Sequence, residues 1–187
     1  MEYPVKEFKD QQAFESWLEA NPTSDGIWIK LAKKGSGKTT VSYAEAVESA
    51  LCYGWIDSQT KTFDEKFYIQ KFTPRRSKSV WSKINVKKAE ALIKAGRIRP
   101  AGLAQIEAAK ADGRWTAAYE GSSTAEAPED FLKALAKNKK ATAFYETLSK
   151  SNKYAIIWRL HHSKKPETRQ ANIEKFINML AEGKSFH

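Results

Sequence analysis

Side chains that suit the binding of an oxyanion crowd into one short stretch of the sequence. They are Arg75, Arg76, Ser79, Ser82 and Asn85. Arginine offers a planar fork of N–H donors that matches carboxylate and phosphate groups. The last three residues recur at intervals of three, which places them on one face of a helix. Because the first turn of a helix also presents free backbone N–H groups to anions, the pattern predicts a preorganised anion site.

Asp57 and Trp81 are candidate members of the same site. The Asp57 carboxylate could form an ion pair that orients Arg75, or it could bond a neighbouring backbone group. Trp81 could stack on a ligand or anchor the core. The serines also have a structural alternative, since Ser79 or Ser82 can cap a helix.

These candidates lie within a strongly basic block, residues 71–99. The block holds ten Lys and Arg against a single acid, Glu90, in a chain whose net charge is +10. Its apolar residues, Trp81 among them, indicate a folded segment that fixes its cations, unlike a disordered basic tail. Aromatics interleaved with bases are also typical of single-strand binders, so weak nucleic-acid binding is an alternative function.

Other motifs do not indicate a nucleotide loop, a reactive thiol or a metal site. Residues 35–39 (GSGKT) resemble part of a phosphate loop, but that motif requires glycine where Ala32 stands, so a Lys-rich turn is predicted. Cys52 has apolar neighbours and is predicted to be a buried, inert thiol. The adjacent His161 and His162 diverge on a helix and cannot share one metal. We predict no metal and no cofactor.

The composition is that of a folded protein, and its cysteine content fits a reducing compartment or indifference to the redox state. The chain has 187 residues, of which 41% are hydrophobic and 12% aromatic, and its one cysteine excludes an intramolecular disulfide. The N-terminus lacks the apolar run of a signal peptide, and no stretch has the length of a membrane span. We therefore expect a cytoplasmic protein, and the oligomeric state stays open.

The periodicity changes from mixed to purely helical along the chain. Strands are predicted at residues 26–32, 55–57 and 66–72, with Pro74 after the last. Helices are predicted at residues 10–20, 43–53, 82–95, 100–111, 128–136, 139–149, 151–162 and 166–182. This order predicts an α+β fold, a small N-terminal sheet with helices followed by an all-helical C-terminal part. The corresponding domains are residues 1–120 and 128–187, joined by a Gly/Ser/Thr-rich linker at residues 121–127.

Several segments together resemble the YdeI/OmpD-associated family, whose members are also called bacteriocin-protection proteins. The segments are residues 50–57 (ALCYGWID), 72–75 (FTPR), 79–85 (SVWSKIN), 96–103 (GRIRPAGL), 111–115 (ADGRW) and 163–169 (SKKPETR), with Gly183-Lys184 at the end. The resemblance implies a bacterial protein connected with stress, antimicrobial-peptide resistance and an outer-membrane porin. It carries no established active site.

The expected function is therefore non-enzymatic. The protein is predicted to bind an anionic small molecule or a polyanionic partner through the basic motif, in a stress or antimicrobial-resistance role. One alternative is a nucleic-acid-binding module. Another is an enzyme acting on a phosphorylated or carboxylated small molecule, in which Arg75, Arg76 and Asn85 hold the anion and Asp57 serves as acid or base.

Overall fold

The chain folds into two compact units in a computed structural model that describes residues 3–121 and 124–186. The first unit is Met1–Tyr119 and the second is Glu120–His187. The first contains a four-stranded sheet with helices, and the second contains helices only. The predicted α+β fold class is confirmed. The linker predicted at residues 121–127 includes Ser122 and Ser123, which lie outside the described residues, and the predicted domain limits stay a prediction.

The sheet has the strand order β1-β2-β4-β3. The strands are β1 (Val5–Glu7), β2 (Ile27–Ala32), β3 (Trp55–Thr62) and β4 (Phe67–Pro74). β1 runs parallel to β2, whereas the β2–β4 and β4–β3 pairs are antiparallel. Proline cannot donate to a ladder, and β4 ends at Pro74 as the sequence predicts. β1 was not predicted, and β3 extends past residue 57 through an irregularity between Asp57 and Thr60.

Local capping fixes where the helices of the first unit begin. These helices are α1 (Gln11–Ala20), α2 (Tyr43–Cys52), α3 (Lys83–Lys94) and α4 (Pro100–Ala111). Asp10 caps α1 by accepting from the Ala13 N–H. Ser42 and Glu45 form the predicted capping box at the start of α2. Ser82 caps α3 by accepting from the Asn85 N–H, so this helix begins at a defined point after the end of β4, and the candidate anion residues lie at this junction.

The core of the first unit lies between one face of the sheet and its helices. Ile27, Ile29 and Leu31 alternate along β2 into a buried cluster with side chains of the helices. α4 approaches the end of α2 so closely that a Cβ at Gly102 would lie 2.2 Å from the Cys52 carbonyl oxygen. This tight contact holds the segment after α3 in place.

The second unit packs its helices around its own core. The helices are α5 (Glu129–Ala136), α6 (Lys139–Thr147), α7 (Lys150–His162) and α8 (Pro166–Ala181). Phe131, Ile156 and Leu160 are fully buried there together with Leu180. Across the described residues, no helix combines the length and the apolar character needed to cross a membrane.

Candidate anion site

Arg75 is a buried arginine held at the end of β4. Its backbone N–H donates to the Gly54 carbonyl at 2.9 Å, and the residue is only 6% exposed. The guanidinium carbon lies 3.6 Å from the ring centroid of Trp81, and Nη1 donates to the Val80 carbonyl at 3.2 Å. The end of the strand and the tight chain reversal at residues 75–81 therefore fix the guanidinium against an indole face.

Three donors at this point have no hydrogen-bond partner among the described residues. They are Nε and Nη2 of Arg75 and Nε1 of Trp81, all of them buried. A buried donor without an acceptor costs roughly 1–3 kcal/mol, and more when the group is charged. Native proteins tolerate few such groups, and each calls for an explanation. Two of the three belong to one cation, which is the arrangement expected of a site that receives an anion.

Burial also affects the ionisation of Arg75. Desolvation is the largest cause and lowers the pKa of Arg75 to about 10. Tyr119 and Asp57 raise this pKa, whereas Arg114 lowers it. The guanidinium nevertheless stays protonated at neutral pH, because a pKa near 10 lies well above it. The site is therefore a permanent positive charge in a place with little water.

Asp57 does not form the predicted ion pair with Arg75. Its carboxylate accepts a hydrogen bond from the Tyr43 hydroxyl at 2.7 Å, and burial together with Asp57 raises the pKa of Tyr43. The strand register explains the difference, because Asp57 lies opposite Phe72 and Arg75 comes three residues later. The three residues amount to about 10 Å along the strand, and the Arg75 guanidinium lies instead against Trp81 and the Val80 carbonyl. Asp57 acts on Arg75 only through its charge.

Ser79, Ser82 and Asn85 take part in hydrogen bonds that stabilise the turn after β4 and the start of α3. Ser82 caps α3 by accepting from the Asn85 N–H at 3.2 Å. Ser79 lies in the turn before the helix, where its hydroxyl accepts from the Arg76 N–H at 2.9 Å. The predicted helical face with Ser79 is therefore wrong, because α3 begins only at Lys83. Arg76 is exposed and does not lie beside Arg75 in the interior.

Residues from outside the basic block complete the surroundings of Arg75. Arg114 Nη1 donates to the Ser79 carbonyl at 2.9 Å and so braces the turn, while Trp115 lies against Trp81 with ring centroids 4.8 Å apart. Burial, the largest cause, and the Asp57 charge both raise the pKa of Tyr119. Sequence reasoning missed Tyr43 and Tyr119. No motif contains these two tyrosines, because only the fold brings them near the site.

The basic block is partly neutralised by acids from other elements. Arg97 pairs with Glu15 at 3.0 Å and with Glu48 at 3.3 Å, and Lys88 pairs with Glu48 at 3.5 Å. Lys71 lies over the Tyr3 ring at 4.2 Å. The nine net charges of the block are therefore not one free polycationic surface. Nucleic-acid binding stays a prediction.

The remaining candidate features lie apart from the Arg75 site. Residues 35–39 lie in the loop between β2 and α2, and α2 begins only at Tyr43. Cys52 is 1% exposed, and burial raises the pKa of its thiol to about 11. Within residues 3–121 and 124–186, no three His, Cys, Asp or Glu side chains are grouped to hold a metal ion.

The fold and the site define an α+β protein with a buried cationic centre in its first unit and a helical second unit. Residues 6–105, more than half of the chain, match the family described as a domain of unknown function (DUF8412), and the chain belongs to that family. Residues 124–183 match the family described as Bacteriocin-protection, YdeI or OmpD-Associated, which confirms the predicted resemblance. The motifs of residues 50–115 that also suggested it lie outside this second match. No curated protein and no solved structure matches the chain.

Proposed function

We propose that the first unit binds a small oxyanion at the Arg75 guanidinium. The observation that carries the proposal is the pair of buried, unpartnered donors on Arg75, Nε and Nη2. These two N–H groups form one edge of the guanidinium fork, and that edge is the one that binds carboxylate and phosphate oxygens bidentately. A surface lysine offers no comparable geometry.

The surroundings of Arg75 hold the fork in place before a ligand arrives. The indole of Trp81 supports one face of the guanidinium, and the Val80 carbonyl takes the N–H on Nη1. Little rotamer freedom is left to lose on binding, and preorganisation of this kind strengthens affinity. An anion bound at these buried donors compensates the charge of the buried cation with its own.

We also propose a biological role in stress or antimicrobial resistance. The match to the family described as Bacteriocin-protection, YdeI or OmpD-Associated supports the antimicrobial part of this role. We propose that anion binding is the molecular event in that role and that the protein acts in the cytoplasm without catalysing a reaction. The enzyme alternative, with Asp57 as acid or base, stays a prediction.

Calorimetric titration of phosphate, sulfate and acetate into the full chain tests the proposal. Two charge-assisted hydrogen bonds of roughly 1.5–3 kcal/mol each support a Kd on the order of 1 mM or tighter for the best of these anions. Arg75→Lys keeps the charge but loses the fork and should weaken binding about tenfold or more.

Lys87→Ala is the matched control, because Lys87 is an exposed cation of the same basic block. It should change the affinity less than about threefold, as expected for a screened surface charge. Equal losses for Arg75→Lys and Lys87→Ala, or the absence of saturable binding by the wild type, would refute the anion site.

A further inference from the structure

A cavity lies in the helical unit, where α7 ends and α8 begins. Its volume is about 580 Å³, within the range of roughly 300–1,000 Å³ typical of small-molecule sites. Its lining includes Trp158, Arg159, His162, Lys164, Lys165 and Lys175. Every residue named here belongs to the second unit, so the cavity is independent of the Arg75 site.

The charges around this cavity are all of one sign. Arg159, Lys164, Lys165 and Lys175 line it, and no acidic residue among residues 3–121 and 124–186 does. Among the described carboxylates, none lies within ion-pair distance of any of these four side chains. Cations that share a cleft without a counter-charge repel one another and attract anions. The cleft is therefore suited to a multiply charged anion.

Aromatic side chains give the same cavity a flat apolar wall. Trp158 is 38% exposed and stacks on the His162 ring with centroids 4.1 Å apart and an interplanar angle of 26°. The Arg159 guanidinium lies 3.9 Å from the Phe186 ring centroid. An exposed tryptophan face held by a stacked neighbour is a surface on which a planar ring can pack.

The floor of the cavity is fixed by a short hydrogen-bond chain. Asn172 Nδ2 donates to the Ser163 hydroxyl at 2.8 Å, and that hydroxyl donates to the Arg159 carbonyl at 2.8 Å. These bonds tie the end of α7 to the first turns of α8. The lysines and the aromatic wall are thus presented from a rigid base.

We propose that this cavity binds an organic phosphate that carries a planar ring, that is, a ligand of the nucleoside phosphate class. The lysines take the phosphate as point charges, and the Trp158 face takes the ring. A ligand that is only an anion would leave the aromatic wall unused, and a ligand that is only apolar would leave the four cations unused. A ligand with both a phosphate and a ring uses both parts of the lining.

Titration of AMP, adenosine and inorganic phosphate into the full chain carrying Arg75→Met tests the inference, because this variant lacks the fork proposed to bind phosphate in the first unit. AMP should bind the variant about tenfold or more tightly than either fragment does, since each fragment retains only one of the two interactions. AMP binding that disappears with Arg75→Met, or inorganic phosphate that binds the variant as tightly as AMP does, would overturn the proposal.

Variants in the cavity give the second test. Lys165→Ala should weaken AMP binding about tenfold while leaving adenosine unchanged, because a charge-assisted contact to the phosphate is lost. Trp158→Ala should reduce the affinity for AMP to that for inorganic phosphate. Lys133→Ala is the control, since Lys133 lies on α5, is 72% exposed and pairs with Glu129 outside the cavity. A loss with Lys133→Ala equal to that with Lys165→Ala would contradict a defined site.

Discussion

The Arg75→Met variant distinguishes two possible roles of Arg75, which either binds a ligand or only stabilises the fold. Methionine keeps an unbranched, flexible stem, although a shorter one, and it removes the charge. Burial lowers the pKa of Arg75 to about 10, and a lowering of that size corresponds to about 3 kcal/mol that the folded state spends on keeping the cation inside. Removal of the charge releases this amount.

The substitution also removes favourable contacts. The stacking on Trp81 is worth roughly 2 kcal/mol for a desolvated cation, and the hydrogen bond to Val80 is worth about 1 kcal/mol. A methionine sulfur on the indole restores on the order of 1 kcal/mol. The gain and the losses nearly cancel, so Arg75→Met should change the free energy of unfolding by no more than about 1 kcal/mol. Phe14→Ala, at a site equally removed from solvent, should cost about 3–5 kcal/mol.

Urea unfolding followed by tryptophan fluorescence measures this difference. Five of the six tryptophans, all except Trp158, lie in the first unit, so the signal reports chiefly on the unit that contains Arg75. The difference between wild type and Arg75→Met should be constant from pH 6 to 9, because Arg75 is protonated in both the folded and the unfolded state throughout that range. Arg76→Met is the control at an exposed neighbour and should be close to neutral.

Addition of phosphate at about 100 times its Kd should then stabilise the wild type by about 2.7 kcal/mol and leave Arg75→Met unchanged. The opposite result refutes the reasoning. An Arg75→Met variant that is about 3 kcal/mol less stable without phosphate, in a protein that phosphate does not stabilise, would show that the arginine is a structural element whose donors need no anion.

Three further predictions follow from the first unit. Gly102→Ala should lower the free energy of unfolding by about 1–3 kcal/mol in urea unfolding, because the added Cβ meets the Cys52 carbonyl at 2.2 Å; an unchanged midpoint would contradict the close packing of α4. Ser42→Ala should cost about 1 kcal/mol in the same assay, since it breaks the capping box with Glu45. The Cys52 thiol, with its pKa raised to about 11 by burial, should resist a disulfide reagent at pH 8 until the protein unfolds; fast reaction of the native protein would disprove its burial.

Local patterns predicted most of the elements, because local contacts determine them. The capping box at Ser42 and the proline at the end of β4 were visible in the sequence and are present in the structure. β1 was not predictable from periodicity, since it is three exposed residues that become a strand only by pairing with β2. The outer half of β3 is exposed and polar for the same reason. Such segments are strands because of a partner rather than because of their own pattern.

The contacts of the candidate site residues were harder to predict from the sequence than the helices and strands. Ser82 and Asn85 were correctly paired by their spacing, but the spacing of a helix cap and that of a helical face are the same, and only the position of the first helical residue distinguishes them. The partner of Asp57 depended on the strand register, which placed the carboxylate beside Tyr43 and away from Arg75. Neither the role of Ser82 nor the partner of Asp57 can be predicted from a single segment of the sequence.

Arg75 carries the strongest functional argument for a reason that charge counting does not supply. Its neighbour Arg76 has the same residue type and the same place in the basic block, yet Arg76 is exposed and an exposed guanidinium is already satisfied by water. Arg75 is 6% exposed, and two of its donors have no acceptor among the described residues, so bulk water is largely kept from it and the described protein groups do not satisfy it. Positive charge attracts many anions weakly, whereas a buried, oriented and unpaired fork can select one. The proposed anion site should therefore owe its specificity to the burial of Arg75, and the +9 of the surrounding block should set only the rate at which anions arrive.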